Sequence, residues 1–75
     1  MVKYENRLKQ IRQENSVMAK TVAGMLSITY RTYQKYENGE IDIPGSKLIA
    51  LADYFDVSID YLVGRSDDPK RRLLL

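Results

Sequence analysis

The chain has 75 residues, a net charge of +2, and neither Cys nor His. That composition excludes disulfides, zinc sites built on Cys or His, cysteine nucleophiles and histidine acid–base chemistry. A chain of this length makes one domain at most, and no apolar run approaches the roughly 18 residues a membrane span needs. Met1 to Glu5 has no signal-peptide character, so a cytoplasmic location is the expectation. Charge is divided unevenly: residues 1–35 hold seven Lys/Arg and two Glu, residues 36–69 hold two Lys/Arg and eight Asp/Glu, and Lys70, Arg71 and Arg72 come after them. Such a dipole would orient the protein on a polyanion; an ordinary solvated surface is the alternative reading.

Five helices are predicted. The first covers about residues 3–14, where Tyr4, Leu8 and Ile11 form one apolar stripe. Asn15-Ser16 ends it. The second covers about 17–26, with Ser16 as the expected N-cap and Met18, Val22, Met25 and Leu26 on one face. Ser27 falls in the next turn. The third covers about 30–37. Thr29 is its expected N-cap, Ile28 and Tyr33 form a hydrophobic staple, and Gly39 supplies a left-handed stop. Asn38-Gly39 could also mark a β-hairpin, but its flanks do not alternate as strands do.

The fourth helix covers about 44–55, opening on Pro44, with Leu48, Leu51, Ala52 and Phe55 at helical spacing. The fifth covers about 59–63, capped by Ser58 and ended by Gly64, with Ile59, Leu62 and Val63 facing inward. The rest reads as a tail in which Asp67-Asp68-Pro69 discourages helix. Its closing Leu73-Leu74-Leu75 either docks or belongs to a longer segment. The domain is drawn as 1–66 and the basic, apolar tail as 67–75.

On a helical wheel, Tyr33 and Tyr36 place one side of the third helix in the core. Arg31, Lys35 and Asn38 fall opposite at i, i+4 and i+7, with Gln34 beside them and Tyr30 and Thr32 flanking. Arg can grip guanine and Gln adenine through paired hydrogen bonds; Lys and Asn reach phosphates. A solvated polar face is the alternative for one helix alone. The preceding short helix, the tight turn and the charge dipole favour a helix-turn-helix.

The stretch ITYRTYQKYENG, Ile28 to Gly39, resembles the recognition segment of Cro/lambda-repressor-like (XRE-type) helix-turn-helix proteins. DIPGSKLIALADYFDVSIDYLVGR, Asp42 to Arg65, resembles the last two helices of that family. The resemblance spans about residues 3–66. It implies an all-α, compact five-helix lambda-repressor-like DNA-binding domain with the helix-turn-helix in helices two and three. By position, Thr29, Tyr30, Arg31 and Lys35 match base-facing sites, and Asn38 matches a phosphate contact. Glu37 matches an acid that pairs with helix one, here Arg12, as a structural tie.

The sequence departs from the family where a Thr or Ser cap is usually followed by Gln. Met18 and Ala19 stand there, with Lys20 the nearest polar substitute. Ser27 stands where Gly is common and must accept φ > 0 or change the turn. Both departures bear on DNA affinity more than on fold.

The expected function is therefore sequence-specific regulation of transcription, of prophage or bacterial repressor type, with helix three in the major groove. The partners expected are double-stranded DNA, as operator half-sites, and a second copy joined through the helix four–five surface, as the resemblance implies. The candidate DNA-binding residues are Lys20, Thr29, Tyr30, Arg31, Thr32, Gln34, Lys35 and Asn38. No cofactor, metal, small-molecule substrate, membrane contact or enzymatic activity is expected. The alternative is a protein-interaction module, antitoxin-like or anti-repressor, on the same fold with weakened DNA binding.

Overall fold

The structure, a computed structural model, describes residues 6–71. It contains five helices: α1 Leu8–Glu14, α2 Ala19–Met25, α3 Tyr30–Glu37, α4 Gly45–Phe55 and α5 Ile59–Leu62. The expectations for Tyr4 and for Leu73–Leu75 lie outside the described residues. No helix among the described residues is long and apolar enough to cross a membrane.

α1 starts at Leu8, later than the apolar stripe suggested, because Asn6 diverts the backbone first. The Asn6 carboxamide oxygen accepts the Leu8 N–H at 2.9 Å, and its Nδ2 donates to the Tyr36 carbonyl at 2.9 Å. One short side chain thus satisfies a free donor of α1 and ties that end to the end of α3.

All five described helices close in the same way. A left-handed residue comes after each, and the next N–H bonds back to a carbonyl five residues earlier. The left-handed residues are Ser16 (φ 56), Ser27 (φ 58), Gly39 (φ 69), Asp56 (φ 56) and Gly64 (φ 83). The returning bonds are Val17 to Arg12, Ile28 to Ala23, Glu40 to Lys35, Val57 to Ala52 and Arg65 to Asp60, at 2.8–3.1 Å. Val17, Ile28 and Val57 then turn inward against the core. Ser16 is therefore not the N-cap of α2. It closes α1 instead, and Met18 occupies the cap position with no side-chain cap bond.

Two caps do form where hydroxyls precede helices. Thr29 accepts from the Thr32 N–H at 3.1 Å and Ser58 from the Tyr61 N–H at 3.0 Å. Pro44 lies one residue before α4, as its N-cap, and its carbonyl accepts from Lys47 and Leu48 at 2.9 Å. α5 stops at Leu62, with Val63 as its C-cap.

The core joins Leu8 and Ile11 of α1, Val22 and Ala23 of α2, Tyr33 and Tyr36 of α3, Leu51 and Phe55 of α4, and Leu62 of α5. Leu8, Val22, Tyr33, Leu51 and Leu62 are each 0% exposed. Truncating one such leucine to alanine costs about 2–5 kcal/mol, a large share of a small domain's stability. Three residues assigned inward by periodicity face out: Met18 is 67% exposed, Ile59 38% and Met25 36%. Met18 stands before α2 as its extended N-cap, the inward side of α2 is taken by Val22, Ala23 and Leu26, and that of α5 by Leu62.

The segment after α5 is bound to the domain. Arg7 Nη1 donates to the carbonyls of Tyr61 (2.7 Å) and Ser66 (2.8 Å), and Nη2 to Asp67 (2.6 Å). The same guanidinium lies 4.5 Å from the centre of the Tyr61 ring. Further along the chain, the Ser58 N–H donates to the Pro69 carbonyl at 3.0 Å, and Arg71 pairs with Asp53 and Asp56.

Candidate nucleic-acid interface

α2, the turn through Ser27, and α3 form the helix-turn-helix. α3 packs against both α1 and α2. Its inward side is set by Tyr33 and Tyr36, which leaves the opposite side to solvent. Its position is fixed from three directions. The Arg12 guanidinium donates from Nε to Glu37 Oε2 at 2.6 Å and from Nη2 to Glu37 Oε1 at 3.3 Å. Arg12 Nη1 also donates to the Val17 carbonyl at 3.0 Å, joining α1, the α1–α2 turn and α3. Asn6 bonds the Tyr36 carbonyl at the same C-terminal end of α3, and the Lys47 ammonium donates to the Leu26 carbonyl at 2.8 Å, bracing from α4 the turn that precedes α3.

The ion pair is largely enclosed, with Arg12 and Glu37 side chains 14% and 9% exposed. The hydrogen bond from Arg12 to Glu37 holds the guanidinium pKa above its ordinary value. Beside this pair, the Tyr33 hydroxyl is buried and no described residue hydrogen-bonds it. Burial, above all, and then the adjacent Glu37 carboxylate push its pKa well above the usual phenolic range. These groups are structural: they position α3 and do not face outward.

The outward side carries the expected residues together. Thr29, Tyr30, Arg31, Gln34 and Asn38 are exposed, and Thr32 and Lys35 are half-buried. Thr29 and Thr32 hydroxyls lie 3.0 Å apart, so both belong to the cap as well as to the face. Lys20 is exposed in the first turn of α2. Ala19, where a glutamine would have reached a phosphate, is half-buried against the core. Among the described residues the ion pairs use Arg7, Arg12 and Arg71; Lys20, Arg31 and Lys35 enter none. The Asn38 amide is engaged, donating to Glu40 Oε2 at 3.1 Å.

Asp53, Asp56, Asp60, Asp67 and Asp68 are all exposed on α4, α5 and the segment after them. A groove of about 520 Å³ runs through this region, lined by Ile49, Val57 and Ile59 and by Asp53, Asp60 and Arg71. No cluster of three or more acidic side chains able to hold a metal ion is present among the described residues. Sequence reading missed Asn6, Arg7 and Lys47. Each acts by bonding a distant backbone carbonyl, and a carbonyl acceptor leaves no mark in the partner's residue type.

The helix-turn-helix family profile matches residues 8–62. The chain is 36% identical over 66 residues to the uncharacterized HTH-type transcriptional regulator YobD of Bacillus subtilis, a match covering 88% of this chain and 59% of that one. It is 32% identical over 75 residues to the cryptic phage CTXphi transcriptional repressor RstR of Vibrio cholerae, covering 99% of this chain and 67% of that one. The crystal structure of a transcriptional regulator from Listeria innocua superposes with a TM-score of 0.73 at 38% identity, over 77% of this chain and 54% of that one. The chain belongs to the Cro/lambda-repressor-like (XRE-type) helix-turn-helix family of transcriptional regulators. It spans 59% of the length of YobD and 54% of the Listeria chain.

Proposed function

We propose that the protein is a sequence-specific DNA-binding regulator of prophage or bacterial repressor type, working in the cytoplasm, with α3 entering the major groove. The observation that carries this reading is the face of α3. Arg31, Gln34 and Tyr30 stand exposed on a helix held from three sides, and its basic groups have no ion-pair partner among the described residues. A cation without an internal partner is free to meet a polyanion, and a rigid helix keeps its register against base edges. Arg31 and Gln34 read bases, Tyr30 and the Thr29–Thr32 pair line the N-terminal end, and Lys35, Asn38 and Lys20 meet phosphates.

The exposed acidic groups on α4 and α5 support a fixed orientation, since they repel DNA from that side. The groove among those groups is lined by exposed Ile49 (55%) and Ile59 (38%), which supports homodimerisation there. A dimer would set two α3 helices on half-sites about 34–36 Å apart. Selection from a randomised duplex pool tests the function: enrichment of one motif with two-fold symmetry is expected, and recovery of an unenriched pool contradicts it.

A protein-interaction module with weakened DNA binding is the second reading. Ala19 favours it, because a half-buried methyl stands where an amide would clamp a phosphate. Under that reading the selection yields no motif, and the α4–α5 groove is where a partner would sit.

A further inference from the structure

The five helix closures differ in the residue that comes directly after the left-handed one. After α1, α2 and α4 it is Val17, Ile28 or Val57, packed inward, which is the usual accompaniment of this closure. After α5 it is Arg65, whose positive charge suits the negative end of a helix dipole. After α3 it is Glu40, an exposed carboxylate at a helix end where negative charge is disfavoured. None of the ion pairs among the described residues engages Glu40. Its contact is Asn38, whose Nδ2 donates to Oε2 at 3.1 Å. The backbone beneath is fixed by Gly39 at φ 69 and by the Glu40 N–H donating to the Lys35 carbonyl at 3.0 Å. The carboxylate is therefore anchored at the edge of the face that carries Arg31, Lys35 and Asn38.

We propose that Glu40 sets the DNA affinity of the α3 face by opposing it. It occupies the Asn38 amide and places a negative charge beside the path of an incoming phosphate. A phosphate that takes Asn38 must break the Asn38–Glu40 bond and withstand the repulsion, which salt screens over a Debye length of about 8–10 Å. This inference rests on the reading of α3 as the DNA face.

The test is an anisotropy titration of a labelled randomised duplex pool, at about 50 and 200 mM salt. It compares wild type, Glu40→Gln, Asn38→Ala and the double variant, each checked for helical content by circular dichroism. Glu40→Gln is expected to bind about two- to fivefold more tightly at the lower salt, the size of one exposed charge interaction. The gain shrinks at the higher salt and is smaller in the Asn38→Ala background. Equal or weaker binding by Glu40→Gln overturns the inference and leaves the DNA reading standing. An undiminished gain without Asn38 overturns the part assigned to that amide. Absence of binding by all four proteins overturns the DNA reading and the inference with it.

Discussion

Arg12 and Glu37 form a two-pronged ion pair, 2.6 Å at its shorter contact, that ties α1 to the last turn of α3. The pair sits behind the outward face, so its energetics decide how firmly that face is held. Arg12→Ala leaves a mostly enclosed carboxylate without its partner and frees the Val17 carbonyl. The expected loss is about 2–3 kcal/mol in urea denaturation. The double variant Arg12→Met, Glu37→Leu removes both charges and is expected to recover most of that loss. A single-variant cost below the error of the method would show that the pair is not a support.

Tyr33 buries a hydroxyl beside Glu37 with no hydrogen bond to a described residue, so Tyr33→Phe chiefly removes a desolvation penalty. Unchanged stability, or a gain up to about 1 kcal/mol, is expected at neutral pH. The pH dependence comes from the raised pKa of Tyr33 in the folded state. Below the unfolded-state value of about 10 both states keep the proton, and the site makes no pH-dependent difference. Above it the unfolded chain ionises while the folded one resists, so stability falls. Denaturation midpoints across that range are expected to fall more steeply in wild type than in Tyr33→Phe. Parallel curves would contradict the burial of this phenol.

Ser16 and Ser27 hold φ 56 and φ 58, a region that costs a side-chain-bearing residue about 1–2 kcal/mol. Glycine relieves that strain but adds unfolded-state entropy. Ser27→Gly is expected to raise stability by about 0.5 kcal/mol, a shift of a few degrees in Tm for a domain this small. Calorimetry checks it, and a lowered Tm would place the turn in another conformation.

Arg7 gathers the Tyr61 and Ser66 carbonyls, Asp67 and the Tyr61 ring at one guanidinium. Arg7→Lys keeps the charge but loses the planar fork, so it is expected to behave more like alanine than like arginine. The readout is hydrogen exchange at the Ser58 N–H, which bonds the Pro69 carbonyl. Faster exchange in both variants is expected; wild-type protection in Arg7→Lys would assign the role to charge alone.

Local signals in this chain translated directly into structure. Thr29 and Ser58 cap their helices, Gly39 and Gly64 close theirs, and Tyr33, Tyr36, Leu51 and Phe55 are buried. The outward grouping of Arg31, Gln34 and Asn38 was legible because helical spacing alone dictates it once two tyrosines are fixed inward. Ser16 misled because a serine between two short helices can cap the second or close the first. Val17 packs against the core directly after left-handed Ser16, so the closing role brings the burial of an apolar side chain with it. Asp56 took a left-handed conformation with no glycine to announce it, for the same reason at Val57. The clamp of Arg7 and the brace of Lys47 depend on tertiary proximity that no local pattern encodes.

The most direct test is the affinity of wild type and Arg31→Ala for the duplex enriched by selection, at two salt concentrations. Arg31 is exposed at the second position of α3 and supports none of the core. Loss of about 1–3 kcal/mol in Arg31→Ala, with relaxed preference at one base pair and an unchanged thermal midpoint, is the expected result. Equal affinity and equal sequence preference in the two proteins would contradict the assignment of α3 as the reading helix.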